Sequence, residues 1–420
     1  MMTPAKIAAT LCLVAVGMGS ACSDPPAPPR EQVEIFSWWV GPGDREGLAE
    51  LTEAFDRVNP DVDVVNSTVE GGAGVNAKSV LATRLQIGDP PDSYQVHAGL
   101  ELASDARAGK LEDLTWLYDQ QNWWDRFPRT LLDALTVDGR IYSVPVNVHR
   151  SNLMWFSPTT LRDAGIDAPA TTWTEFLEQA AVLQARGVVP LSIGPLWTRK
   201  HLLENVLLGE LGPKRYEGLW NGATDWHGSD VLAVLRTYLA VLAVSDLGDA
   251  ADDWQPALDK VVRGAAAYNV MGDWAEAYLR QSRGLRLGTD YEVVVSPGTA
   301  GVFNFLSDTF TLSAGAPHRE PTVKWLIMCG STASQDVFNP LKGSLPARTD
   351  ANRSRYEGYL ARALADWEDQ RTKIVGSLTH GVAADNTWNG QIDNALGIFV
   401  ENHDVERFAS AVTVTYAPPK

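Results

Sequence analysis

The chain has 420 residues, 45% of them apolar, and a formal net charge of −17 with no basic run and no basic aromatic cluster. Nucleic acid is therefore excluded as a partner, because phosphate binding needs a positive footprint. An anionic cargo is disfavoured on the same grounds, and the charge suits a soluble exported protein. The length exceeds one simple domain and fits two lobes, each with a sizeable core.

The first predicted element is a leader. Lys6 precedes an apolar run from Ile7 to Ala21, which ends in Gly19-Ser20-Ala21-Cys22 and passes into the Pro-rich stretch Pro25-Pro26-Ala27-Pro28-Pro29. The run is too short for a membrane-spanning helix, which needs about 20 apolar residues. Small residues before a cysteine read as a bacterial lipoprotein cleavage site. Residues 1–21 are thus expected to be a signal peptide, with Cys22 the lipid anchor and 22–32 an extended linker. An ordinary secretory signal with an incidental cysteine is the alternative. The mature protein is expected outside the cytoplasm, tethered to a membrane it does not cross. Of three cysteines, Cys12 lies in the leader, Cys22 is the anchor and Cys329 sits at helical apolar spacing, which predicts a buried structural thiol.

Val33 to Ser37 reads as a strand, Glu46 to Val58 as a helix, Val62 to Val69 as a second strand and Asn76 to Ile87 as a second helix with Val80, Leu81 and Leu85 inward. Asp92 to Val96 is a third strand after the turn Gly88-Asp89-Pro90-Pro91. The alternation predicts a parallel sheet flanked by helices, with a ligand beyond the carboxyl ends of the strands at Trp38-Trp39, Gly71-Gly72 and Gln95–His97. Strands at Ile141–Val146 and Asn152–Phe156 follow, then helices at Thr174–Arg186, Lys200–Leu211, Ser229–Val244, Trp254–Arg263 and Asp273–Gln281, with strands near Ala267–Val270 and Tyr291–Val295. Without a soft linker between the halves, the connection is expected to be a hinge.

Several segments together carry a family resemblance. They are Phe36-Ser37-Trp38-Trp39, Gly71-Gly72-Ala73-Gly74-Val75-Asn76, Gln95-Val96-His97-Ala98-Gly99 and Val144-Pro145-Val146-Asn147-Val148-His149-Arg150-Ser151-Asn152. Further on come Met271-Gly272-Asp273-Trp274, Leu306-Ser307-Asp308, Asn339-Pro340-Leu341-Lys342-Gly343-Ser344 and Gly376-Ser377-Leu378-Thr379-His380-Gly381. In this order and spacing the chain resembles the solute-binding proteins of ABC sugar importers, and among them the glucose- and mannose-binding members. The resemblance implies a two-lobe α/β periplasmic-binding-protein fold of type II, a sugar in the inter-lobe cleft, delivery to an ABC permease, a monomer, no cofactor and no catalysis. It implies lobes of residues 33–147 plus 306–344 and 148–305 plus 345–420. Carried over residue by residue, the sugar contacts would be Gln95, His97, His149, Trp274, Asp308, Lys342 and His380, with Trp38, Trp39, Gly71, Gly72 and Trp254 as secondary candidates.

The chemistry of these residues fits a polyol. A pyranose offers a C–H-rich face to indole and a rim of hydroxyls, and fifteen tryptophans are available, although core packing must claim most of them. A carboxylate such as Asp308 accepts strong hydrogen bonds from hydroxyls; its bland alternative is a turn aspartate. Lys342, read as lying in a loop, donates to hydroxyl oxygens or is a surface lysine. A neutral imidazole has one donor and one acceptor, and His97, His149 and His380 are three of seven histidines. No histidines stand at i, i+3 or i+4 and no cysteine is near, so no metal is expected. Gly71-Gly72-Ala73-Gly74 lacks a P-loop ending, so phosphate is not expected. The competing readings are an oligosaccharide receptor, a sugar-sensing lipoprotein and an exported glycoside hydrolase, which would need paired carboxylates.

Overall fold

The computed structural model describes residues 30–69, 74–248 and 253–415. The leader, Cys22 and Gly71-Gly72 lie outside the described residues. Glu31 and Gln32, assigned to the linker from sequence, instead begin the first strand, Glu31–Phe36.

Two five-stranded sheets organise the chain. In the first the order is Val62–Asn66, Glu31–Phe36, Ser93–His97, Asp308–Thr311 and Ser143–Pro145. In the second it is Ser245–Asp246, Val189–Ser192, Ala266–Val270, Leu153–Phe156 and Glu292–Val295. Neither sheet is all-parallel as expected. Asp308–Thr311 runs against both neighbours in the first, and Leu153–Phe156 against both in the second. The reason is topological. A parallel neighbour needs a crossover helix within its own layer, whereas these two strands arrive directly from the other half of the molecule. A three-stranded sheet, Lys373–Gly376, Val302–Leu306 and His149–Arg150, lies on that route.

The helices form where the apolar period meets a terminus signal. Asp44–Val58 buries Leu48, Leu51 and Phe55, carries Asp44 and Glu46 in its first turn, and is anchored by Glu46 accepting from the Gly43 N–H at 2.7 Å. Val75–Ile87 buries Ala77 and Leu81, but Val80 is 41% exposed, correcting the expected inward face. Lys342 is likewise no loop residue. It closes the helix Thr332–Lys342, which tolerates Pro340 in its last turn and stops at Gly343 with φ +74°. Cys329 is fully buried, as its spacing predicts.

Packing claims most of the tryptophans. Trp39, Trp155, Trp173 and Trp325 are almost wholly buried, and Trp220 packs edge-on with Trp226 and Trp388 in the second core. Five line one cavity.

The chain crosses between the halves at 145–149, at 306–308 and again near Leu345, and the first two crossings are stitched together. Asn147 is the centre: its Oδ1 accepts from the Asp308 N–H at 2.8 Å, its Nδ2 donates to Asp308 Oδ2 at 2.7 Å, and its carbonyl accepts from Ser307 Oγ at 2.6 Å. Leu345 and Val148 exchange two backbone hydrogen bonds beside them. Asn147 is fully buried, so truncating it strands two buried partners at about 1–3 kcal/mol each. Asn147→Ala is expected to lower unfolding free energy by about 2–4 kcal/mol in chemical denaturation; a loss under about 0.5 kcal/mol, the size typical of neutral surface changes, would show that the crossing does not depend on it.

Candidate functional site

A cavity of about 220 Å³ opens at the carboxyl ends of the first sheet. Strand direction places its polar wall. His97 ends Ser93–His97, and the reversed strand begins with Asp308 directly opposite it in register. Asp308 therefore stands at the ligand end of the sheet because its strand runs the other way. His149 arrives from the neighbouring three-stranded sheet, Lys342 from its helix terminus, Trp274 from the start of Trp274–Ala277, and His380 from the loop after Lys373–Gly376. The sequence candidates Trp38, Trp39, His97, His149, Trp254, Trp274, Asp308, Lys342 and His380 all line this cavity.

Gln95 does not. It stands behind Asp308, donating its Nε2–H to Oδ1 at 2.7 Å and accepting from the Trp38 N–H at 3.3 Å. Its part is to hold Asp308 rather than to touch a ligand. Asp44 and Trp197 line the cavity and were missed. Asp44 was hidden in the first turn of an amphipathic helix, where an acidic residue is ordinary capping chemistry. Trp197 falls in a stretch, Pro195 to Gly222, that carries no motif.

The electrostatics favour both charge signs inside one enclosure. Lys342 Nζ lies 2.8 Å from Asp44 Oδ1. Burial opposes its charge, but the Asp44 and Asp308 carboxylates outweigh burial and raise its pKa. Burial likewise opposes ionisation of Asp308, yet Lys342, His97 and His149 outweigh it and lower its pKa. Both oxygens of Asp308 already accept one amide N–H each, and a carboxylate has about four acceptor positions, so capacity remains toward the cavity.

The histidines share one orientation. His97 Nδ1 meets Glu101 Oε2 at 3.0 Å, His149 Nδ1 bonds to Asp273 Oδ1, and His380 Nδ1 meets Ser377 Oγ at 2.9 Å. The Nε2 atoms of His97 and His149 stand 3.6 Å from Oδ1 and Oδ2 of Asp308. His149 Nε2 and Trp39 Nε1 are buried with no hydrogen-bond partner among the described residues. A buried, unpaired polar atom costs about 1–3 kcal/mol, which hydrogen bonds from a hydroxyl-bearing guest would offset. Trp274 meets His149 and His380 edge-on, with centroids 5.5 and 5.2 Å away.

One cluster could be taken for a metal centre. The fold brings ligand atoms of His201, Glu204 and His380 within 4.8 Å of one another, across too much sequence for any spacing rule to reveal. The donor set argues against it. Glu204 Oε1 accepts from Tyr216 Oη, Asn304 Nδ2 and Leu378 N at 2.9, 2.6 and 2.8 Å, and Oε2 from Ser377 Oγ and Thr379 N at 3.2 and 3.1 Å. A carboxylate used five times has no lone pair to give a cation.

The family comparison agrees with this architecture. Residues 41–336 match the model of the bacterial extracellular solute-binding proteins. An ABC transporter extracellular-binding protein of Pyrococcus horikoshii is 30% identical over 91% of this chain and 86% of its own length. A probable sugar-binding periplasmic protein of Brucella suis is 28% identical over 90% and 89%. A solved solute receptor described as preferring β-D-galactopyranose has 16% identity and a TM-score of 0.79, covering 92% of this chain and 97% of its own, which establishes the fold. Among the described residues no helix is long and apolar enough to cross a membrane.

Two outcomes follow from the geometry. A Cβ on Gly272 would collide with the Trp274 indole, so Gly272→Ala should displace that ring and change the near-ultraviolet dichroism while leaving the helical signal intact; an unaltered spectrum would refute the contact. Glu101 is buried, which opposes ionisation, but the Lys78 ammonium 2.8 Å away and His97 bring its pKa down from 4.5 to about 2. A depressed carboxyl stabilises the fold above pH 4.5, and that contribution disappears as pH falls through about 2. Glu101→Gln should therefore flatten the acid limb of the stability profile between those values, and a parallel profile would show that Glu101 titrates normally.

The chain belongs to the bacterial extracellular solute-binding proteins, a family of receptors and not of enzymes.

Proposed function

We propose that this protein is the sugar receptor of an ABC importer. It binds one monosaccharide, glucose or a close relative, in the cavity described above and delivers it to the permease. The observation that carries this reading is the cavity itself: five indoles, three carboxylates and an ammonium around about 220 Å³. That volume falls below the roughly 300–1,000 Å³ of sites for drug-sized ligands and suits a single ring. Indole faces take the C–H surface of a pyranose. Asp308, Lys342 and the histidine Nε2 atoms take its hydroxyls. With every hydroxyl paired, an epimer leaves a buried group unsatisfied and is rejected.

Relatives support the sugar class. The glucose-binding protein of Saccharolobus solfataricus is 24% identical over 87% of this chain and 69% of its own length. We read residues 33–147 plus 306–344 as one lobe and 148–305 plus 345–420 as the other, closing on the ligand. Cys22 is proposed to carry the lipid that holds the receptor at the extracytoplasmic membrane surface.

The test is calorimetry with glucose, galactose, mannose and xylose. One of them should give heat, quench tryptophan fluorescence and raise the melting temperature, since ligand at a hundredfold excess over Kd adds about 2.7 kcal/mol. Asp308→Ala should stay folded and lose about 2–4 kcal/mol of affinity. No heat with any of the four would remove the monosaccharide assignment, and heat only with longer saccharides would turn it into an oligosaccharide receptor.

A further inference from the structure

Three cavity histidines use Nδ1 for a protein partner, but the partners differ. His97 and His149 face carboxylates, Glu101 and Asp273. An ionised carboxylate only accepts, so each of these two Nδ1 atoms carries a proton. His380 faces a hydroxyl, Ser377 Oγ, at 2.9 Å. A hydroxyl both donates and accepts, so this contact alone leaves the tautomer open.

The next bond decides it. Ser377 Oγ lies 3.2 Å from Glu204 Oε2, and the carboxylate cannot donate. The single hydroxyl proton of Ser377 is therefore committed to Glu204. The His380 backbone N–H also donates to Ser377 Oγ, at 3.3 Å. What remains for His380 Nδ1 is to donate. Glu204 is itself fixed by the Leu378 and Thr379 N–H groups, by Tyr216 and by Asn304, so it cannot turn away.

We propose that Glu204 and Ser377 are positioning residues that lock His380 as the Nδ1–H tautomer and present Nε2 to the ligand as a hydrogen-bond acceptor. The proposal rests on the reading of the cavity as a sugar site for its purpose, but not for its test. His380 Nε2 then complements the donor Lys342 in the cavity wall and takes a hydroxyl proton from the guest.

The experiment is two-bond proton–nitrogen NMR of the ¹⁵N-histidine-labelled full chain without ligand at neutral pH, with His380 identified from a His380→Gln variant. The expected pattern is a protonated Nδ1 and a bare Nε2. Ser377→Ala should convert His380 to Nε2–H or to a tautomer mixture, and should weaken glucose binding about tenfold. In a His380→Ala background it should add nothing. Glu204→Gln should shift the tautomer the same way; if it does not fold, Ser377→Ala alone decides. An Nε2–H pattern in the wild type, or an Nδ1–H pattern that survives in Ser377→Ala, overturns the proposal. So does zinc chloride perturbing His201 and His380 together at stoichiometric concentration, because Glu204 would then be a metal ligand. Failure of the wild type to bind any sugar would sink the functional reading while leaving the tautomer result standing.

Discussion

The arrangement of this molecule depends on one buried carboxylate. Asp308 is 3% exposed at the point where the chain passes from one half to the other. Removing a carboxylate from water costs several kcal/mol unless its oxygens are paired. Gln95 reaches it from the neighbouring strand and Asn147 from another crossing segment, each at 2.7 Å. The group that faces the cavity is thus the group that ties two of the crossings together. A site built at a hinge in this way couples ligand contact to the angle between the halves, because neither amide can move without disturbing the acceptor.

Around that acceptor, polarity is arranged in shells. The innermost atoms are Asp308, Lys342 and the outward nitrogens of the histidines. Behind them stand groups that orient them: Gln95, Asn147, Glu101, Asp273 and the Ser377–Glu204 pair. Glu204 accepts five hydrogen bonds, and four of the donors belong to segments far from it in sequence. Such a centre explains how a loop as short as Ser377–His380 can hold an imidazole at a fixed angle in a cavity wall.

Much of this was legible in the sequence. Asp308, Lys342, Trp274 and His380 stand in stretches whose order identifies the family, and all four line the cavity. Local signals did less well where tertiary contact decided. Lys342 read as a loop residue because Pro340 breaks most helices, yet a proline in the last turn loses little when Gly343 ends the helix anyway. Val80 fits a helical stripe, but the helix packs through a narrower arc around Ala77 and Leu81. Glu204 and His201 lie on Leu196–Leu211, a helix with buried residues over most of its circumference. With no polar face to contrast with an apolar one, nothing in that stretch marks a functional side. The Glu204 partners Ser377, Leu378 and Thr379 lie 173 to 175 positions away, beyond any local pattern.

The flanks of the cavity show how tightly the halves approach. Gly343, at φ +74°, and Gly43, at φ +84°, both lie against Ala277, where an added Cβ would come within 2.9 Å of the alanine methyl. On the other flank Gly99 abuts the Val382 backbone. Arg280 and Gln281 donate to the carbonyls of Pro340 and Leu341 at 2.8 and 2.6 Å, beside the first of these contacts. Side chains at the glycine positions would wedge the halves apart and admit water to the charged wall. Their absence lets backbone meet backbone, and the enclosure this produces strengthens every hydrogen bond to Asp308 and Lys342 by lowering the local dielectric. A guest that supplies hydroxyls to those groups stabilises the enclosed arrangement more than an open one, which is the differential contact any ligand-driven closure requires.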